Sequence, residues 1–587
     1  FRNMPRTMRC RGLSLAAIGC LLSLAGAGPL VETPLGTAEG ITAAAGVERY
    51  AGIPYALPPV GQRRFAAAVL SDGPWPQGHL DARRLGAPCI NNPLGDPRSV
   101  PLDEDHAPPP SEDCLQLNLW RPAAATDGEK RPVMVYNFGG GLCSGYAGNP
   151  YFNGSAYAIE HGVIVVTVSY RLGALGFLVS DDFDGPGNGG MNGIRDIATA
   201  LRWLQRFVPY FGGDPNRVTL FGQSSGSYAT CTLSVAPEAK GLFQRAILQS
   251  GPCFGGPPNR GWGPRNETYG RQITSEVMKA LNVSSLQELR KVPAEQVQWP
   301  AYAMNDPAVA PYFSGYFEDP GLLPAPAESL WSSGKINPQS VIAGHNSKDG
   351  TAAFYGVAPT LGLVPGDKNQ SEPGDYEAAM QKVWGSLAPK VLEQYPLSRF
   401  SGSPQKAFLQ VDADSMVICP AYQLLQYAQD FVDTWSYEFA HYIPSRLRAD
   451  GFGCSNGPEL DVTPAQQSEY TKLFAMHGDE VKFVFGNQVG PDGLGPPNNR
   501  TICTFDSGEL LLSQQMRAHW AAFATSGRPL VSWPRYSGAL ADAGTLVFSD
   551  PAVDGIGIAP QGGMHAADCD FWQKLWAAPQ ESELTFV

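Results

Sequence analysis

The stretch RVTLFGQSSGSYATCTLS, residues 217–234, sets Ser224 and Ser225 side by side between Gly222 and Gly226. The pattern G-x-S-x-G says little alone, because a chain with 66 glycines supplies about one match by chance. A second match is present: GCSNG, Gly453–Gly457. The surroundings separate the two. RVTLF is a β-branched and aromatic run of strand type, and YATCTL continues without a proline, as a helix would. A strand, a sharp turn and a helix place the central serine at the tip of the turn, in strained dihedrals, with small residues needed on either side. That serine is Ser224. Around Ser455 the approach RADGF is no strand, and the exit begins with Pro458. Ser455 reads as loop.

Length and composition frame the rest. At 587 residues with 17% charged and 10% aromatic residues, and with no repeat or linker evident, the chain reads as one large, loop-rich globular domain, 28–587, behind a leader. That leader, residues 1–27, carries Arg2, Arg6, Arg9 and Arg11 and then LSLAAIGCLLSLAGAG. It is short for a membrane span and ends in small residues, the pattern of a secretory signal peptide; a membrane anchor is the other reading. Cleavage near Ala27 would take the net charge from −13 to −17 by removing those four arginines. An acidic exterior argues against nucleic-acid partners and anionic membrane surfaces, and no apolar tail suggests a lipid anchor or stable membrane insertion. Secretion gives meaning to five N-x-S/T sequons, at Asn153, Asn266, Asn282, Asn369 and Asn499, as glycan sites. It also favours pairing of the nine cysteines that remain of the 11. No Cys/His spacing resembles a zinc site, so neither metal nor organic cofactor is expected.

A serine hydroxyl becomes a nucleophile only when a base takes its proton, and the resulting oxyanion needs preorganised donors. Donors are expected on a glycine-rich loop after an early strand. PVMVYNFGGGLCSG supplies one, and the amides of Gly140, Gly141 and Ser225 are the predicted oxyanion hole. Cys143, two residues on, reads as packing. In the chain order Ser, acid, His, SVIAGHNSKDG offers Asp349 in a polar turn after a strand, and LFAMHGDEVKFVFG offers His477 before an apolar segment. An acid at a turn also serves as a helix cap, and most histidines are structural, so position alone leaves both open.

Eight ordered blocks resolve that ambiguity: YAGIPYALPPVGQRRF, SEDCLQLNLW, GGGLCSG, VSYRLGALGFL, FGGDPNRVTLFGQSSG, LFQRAILQSG, GHNSKDG and HGDEVKFVFG. Together they resemble the type-B carboxylesterase family of cholinesterases, carboxylesterases and fungal lipases, from about Leu30 to Trp576. The resemblance implies an α/β-hydrolase fold, a large, mostly parallel sheet flanked by helices. It puts the nucleophile on Ser224, the acid on Asp349, the base on His477 and a supporting hydroxyl on Ser250. It also implies ion pairs Arg64–Glu112 and Arg171–Asp196, and disulfides Cys89–Cys114 and Cys419–Cys569. A middle family bridge is missing from LNVSSLQELR. Cys454–Cys503 is a further expected pair, and Cys143, Cys231 and Cys253 stay unassigned.

Departures from the pattern bear on substrate. Asp349 stands where the family usually has glutamate, and Gln223 replaces the usual glutamate before the nucleophile. The loop INNPLGDPRSVPLDEDHAPPPSED, between Cys89 and Cys114, lacks the tryptophan with which cholinesterases face choline. A neutral, partly apolar ester is therefore expected, although Asp103, Glu104 and Asp105 would attract cations at range. Phe313 and Phe317 are candidates for the acyl side. The expected protein is a secreted serine esterase acting through an acyl-serine, its partner a small-molecule ester. A lipase acting on aggregated acylglycerols and a catalytically silent binding relative are the rival readings.

Overall fold

A computed structural model describes residues 28–91, 108–123, 128–183, 187–256, 264–303, 317–350, 373–441, 475, 477–487, 505–549 and 557–577. The expected leader lies outside them, as do Cys454, Cys503, Asn369, Asn499, Phe313 and the acidic residues 103–105. The strands are β1 (Leu30–Thr33), β2 (Gly36–Glu39), β3 (Ile41–Ala44), β4 (Val47–Pro54), β5 (His79–Asp81), β6 (Gln116–Pro122), β7 (Arg131–Asn137), β8 (Ile164–Val168), β9 (Gly213–Gln223), β10 (Arg245–Gln249), β11 (Ser340–Asn346), β12 (Asp433–Phe439), β13 (Gly544–Phe548) and β14 (Ala559–Gly562).

β1, β2 and β5 form a small separate sheet, and the others form one of 11 strands in the order β14-β13-β12-β11-β10-β9-β7-β8-β6-β4-β3. From β8 to β13 every neighbouring pair is parallel; the edges are antiparallel. Parallel strands are covered on both faces, so their sequences run apolar instead of alternating. IVVTV in β8 and SVIAGHN in β11 are buried at every position. Helices supply the cover. Trp520, on the helix Ser507–Ser526, meets the Tyr437 ring of β12 edge-on at 5.3 Å. Each such side chain, fully buried, contributes about 1.5–3 kcal/mol.

Among the described residues, three disulfides and several buried ion pairs tie the loops to this sheet. Cys89–Cys114 and Cys419–Cys569 form as the resemblance implied. The unassigned Cys231 pairs with Cys253, and Cys143 is buried and unpaired. Arg64 grips Glu112 at 2.6 and 2.5 Å, and Arg171 grips Asp196 at 2.8 and 2.6 Å. Arg195–Asp319 is a further buried pair, one that no sequence pattern announces.

Three loops leave the carboxyl ends of parallel strands: the glycine loop after β7, the serine turn after the adjacent β9 and the acid turn after β11, with β10 between. Open parallel sheets place their sites at those ends.

Candidate active site

Ser224 sits between β9 and the helix Ser225–Leu233 with φ 58° and ψ −129°. For a residue with a Cβ this backbone is strained by about 1–3 kcal/mol, so its surroundings must enforce it. The Ser224 amide donates to Gln249 O of β10 at 2.8 Å, and its carbonyl accepts from Tyr228 N at 2.9 Å. The two glycines of the motif are required by contact: a Cβ at Gly222 would lie 2.4 Å from Gly226 O, and one at Gly226 would lie 2.1 Å from Asn137 O at the end of β7. The same packing separates the adjacent serines. Ser225 Oγ is buried and accepts a hydrogen bond from Leu142 N at 3.1 Å. It anchors the glycine loop.

That loop turns on Gly140 and Gly141, with φ of 121° and 63°. Gly140 O accepts from Cys143 N at 3.2 Å and Ser144 N at 3.0 Å, closing the turn. A Cβ on Gly139 would sit 3.0 Å from Ser224 Cβ, so the loop backbone lies directly against the serine. Ser225, first in its helix, has an amide with no acceptor inside that helix. Cys143 is packing, as expected; burial pushes its thiol up to about 12.

On the other side, Asp349 Oδ1 lies 2.6 Å from His477 Nδ1, and both residues are buried. The acid turn is tight: Asn346 N donates to Asp349 Oδ2 at 2.8 Å. It is also joined to the base loop, since Lys348 N donates to Ala475 O at 3.0 Å. Burial disfavours the charged form of each partner, but their mutual charge and hydrogen bond outweigh it. The Asp349 carboxyl is held below its ordinary value and the His477 imidazole above its own. With Nδ1–H given to Asp349, the His477 lone pair is on Nε2. Nε2 faces the side-chain nitrogen of Gln223 at 3.3 Å, one residue before Ser224. Among the described residues no hydrogen bond joins Ser224 Oγ to His477. The structure brings Asp349 and His477 into contact and seats the imidazole beside Gln223, the residue before the serine.

Ser250, also at positive φ (54°), is fully buried, and its hydroxyl lies close enough to Asp349 to help lower the acid without forming a well-aligned hydrogen bond. Of the sequons, Asn266 and Asn282 are exposed and Asn153 is half-buried. Phe317 packs against Gly190, Gly270 and the Tyr269 ring with 1% exposure, which makes it core and not an open pocket wall. One site residue is not evident from the sequence. Glu480, in the same HGDE segment as His477, accepts from Asn346 Nδ2 at 2.8 Å and Gln249 Nε2 at 3.2 Å. Burial and the Asp349 charge push its carboxyl up to about 7. Its position three residues after His477 is the available signal.

The sequence profile of the carboxylesterase family matches residues 27–572, and the chain belongs to that family. It is 30% identical over 517 residues to the cocaine esterase of Oryctolagus cuniculus, covering 84% of this chain and 86% of that protein. It is 30% identical over 520 residues to the para-nitrobenzyl esterase of Bacillus subtilis (strain 168), covering 86% and 92% respectively. A solved PNB esterase superposes with a TM-score of 0.69 at 26% identity, covering 92% of this chain and 99% of that one. The protein is a carboxylic ester hydrolase of the α/β-hydrolase fold, acting on small-molecule esters.

Proposed function

We propose that Ser224, Asp349 and His477 form the catalytic triad of a secreted esterase acting on neutral, partly apolar esters. The carrying observation is the buried 2.6 Å contact between Asp349 and His477 Nδ1, with Nε2 directed toward the turn that bears Ser224. Asp349 fixes the imidazole tautomer and stabilises the cation formed in the reaction. Nε2 takes the Ser224 proton as Oγ attacks the ester carbonyl, exchanging its Gln223 contact for the serine hydroxyl when substrate is bound. The oxyanion is received by the amides of Gly140, Gly141 and Ser225. The imidazolium then protonates the leaving alcohol, and water repeats the sequence on the acyl-serine.

The neutral-ester reading rests on Gln223, which puts an uncharged amide beside the base where an acid would attract cations. Secretion is supported by the arginine-led apolar leader and three disulfides, and glycan attachment by the exposed Asn266 and Asn282. Residues 28–587 are taken as a single domain. An organophosphate should label Ser224 and leave Ser225 unmodified; labelling elsewhere, with Ser224 intact, removes the assignment. A panel of p-nitrophenyl esters from acetate to palmitate, with a choline ester added, tests the substrate class. Preference for the choline ester would overturn it.

A further inference from the structure

Behind the acid turn is a second cluster, buried at two residues and half-buried at the third, that ester hydrolysis does not use. His345 of β11 and Glu438 of β12 are direct partners across the parallel strand pair. His565, just after β14, completes a group in which one ligand atom from each residue lies within 4.8 Å of the other two. His345 is 1% exposed and Glu438 5%.

An ion pair explains part of this arrangement. His565 Nε2 meets Glu438 Oε2 at 2.8 Å, and its Nδ1 lies 3.6 Å from Asp414 Oδ1. At His345 the pairing is looser, Nδ1 standing 3.9 Å from Glu438 Oε2. His345 Nδ1 lies 3.2 Å from the Asn346 carbonyl oxygen. Donation there leaves Nε2 as an unprotonated, fully buried nitrogen with no hydrogen-bond partner. A buried unsatisfied polar atom forfeits its hydration without compensation, and the ring could have been any apolar side chain if only packing mattered.

We propose that His345, Glu438 and His565 bind a divalent transition metal, zinc being the best match. Two imidazoles and a carboxylate are a zinc donor set. Tetrahedral ligands about 2.0–2.2 Å from zinc stand roughly 3.3 Å from one another, so separations of up to 4.8 Å close by up to about 1.5 Å while the 2.8 Å contact of His565 with Glu438 opens slightly. Asp414, on the far side of the His565 ring, supplies the carboxylate that orients a ligating imidazole. The role is structural: the ion fastens β11, β12 and the start of the helix Ala566–Ala577 together. It thereby braces from behind the turn that presents Asp349.

The full chain, stripped with chelator and dialysed, is titrated with Zn2+ against a chromophoric chelator and with Co2+ for its visible absorption. One equivalent per chain is expected, with a tetrahedral Co2+ spectrum and a rise in Tm on zinc addition. His345→Phe and Glu438→Gln should each weaken binding at least tenfold and abolish the rise in Tm. Absence of saturable binding by the unmutated protein overturns the proposal, as does binding by both variants as tight as that of the unmutated protein. If the variants do not fold, X-ray absorption of the zinc-loaded unmutated protein decides: two imidazoles with oxygen support the site, and sulfur or all-oxygen ligation refutes it.

Discussion

Two buried imidazole–carboxylate pairs flank the end of β11, and they differ in what lies across the ring. His477 gives Nδ1 to Asp349 and turns Nε2 toward an uncharged amide, Gln223. His565 gives Nε2 to Glu438 and has a second carboxylate, Asp414, beyond Nδ1. Both imidazoles lose to burial and regain more from their carboxylates, so both are held above the ordinary histidine value. Only one is suited to be a base. A ring between two acids is kept as a cation or a ligand; a ring between an acid and a neutral amide keeps a lone pair that can be offered to a hydroxyl. Proximity of histidine to an acid does not define a base; the far nitrogen does.

The most severe way to test this distinction is to remove the group that the free lone pair serves. Ser224→Ala should lower kcat by roughly 10^4–10^6-fold, whereas Ser225→Ala, which disturbs the loop anchor at Leu142 N, should retain far more. Equal losses would erase the difference between the two serines. Next, Asp349→Asn should lower kcat by about 10^4-fold through the wrong tautomer. It should also move the acid limb of kcat/KM to lower pH, since the carboxylate that favours the imidazolium is gone. A pH titration of the residual activity checks the sign. Gly226→Ala, whose methyl would lie 2.1 Å from Asn137 O, should destabilise the fold by about 1–3 kcal/mol or more and depress activity by displacing the turn, read as a drop in denaturant midpoint.

The serine turn is legible in the sequence because its determinants are local. A strand, Gly222, Gly226 and a helix lie within 18 residues, and Gly222 answers to a contact inside that segment, with Gly226 O, although Gly226 answers to Asn137 O of the neighbouring strand. The parallel sheet is legible for a similar reason, as runs such as IVVTV betray burial on both faces. Asp349 and His477, 128 residues apart, can be assigned only through the resemblance, because no local rule joins them. What stays hidden depends wholly on tertiary meeting: Glu480 under Asn346 and Gln249, Cys231 opposite Cys253, and the His345–Glu438–His565 group drawn from three separate segments. Phe317 is misplaced on the same account. An aromatic residue in a glycine- and proline-rich stretch looks the same in sequence whether it lines a pocket or fills a core.

The subtlest alteration makes the two histidines alike. Gln223→Glu places a carboxylate where the amide now stands, 3.3 Å from His477 Nε2, so that His477, like His565, lies between two acids. The added charge favours the imidazolium, and each tenfold gain in the ring's affinity for its proton corresponds to about 1.4 kcal/mol. The base form of His477 is lost as pH falls through its folded pKa, which already lies above the ordinary value of about 6.5. Raising it further moves the acid limb of kcat/KM to higher pH. Activity at neutral pH should fall several-fold and recover in alkali, with Tm little changed. Cationic esters should gain relative to neutral ones, because the new charge faces the site. An acid limb unmoved by the substitution would mean that residue 223 does not face the base in the working enzyme, and the neutral amide would lose its place in the account of both proton transfer and substrate choice.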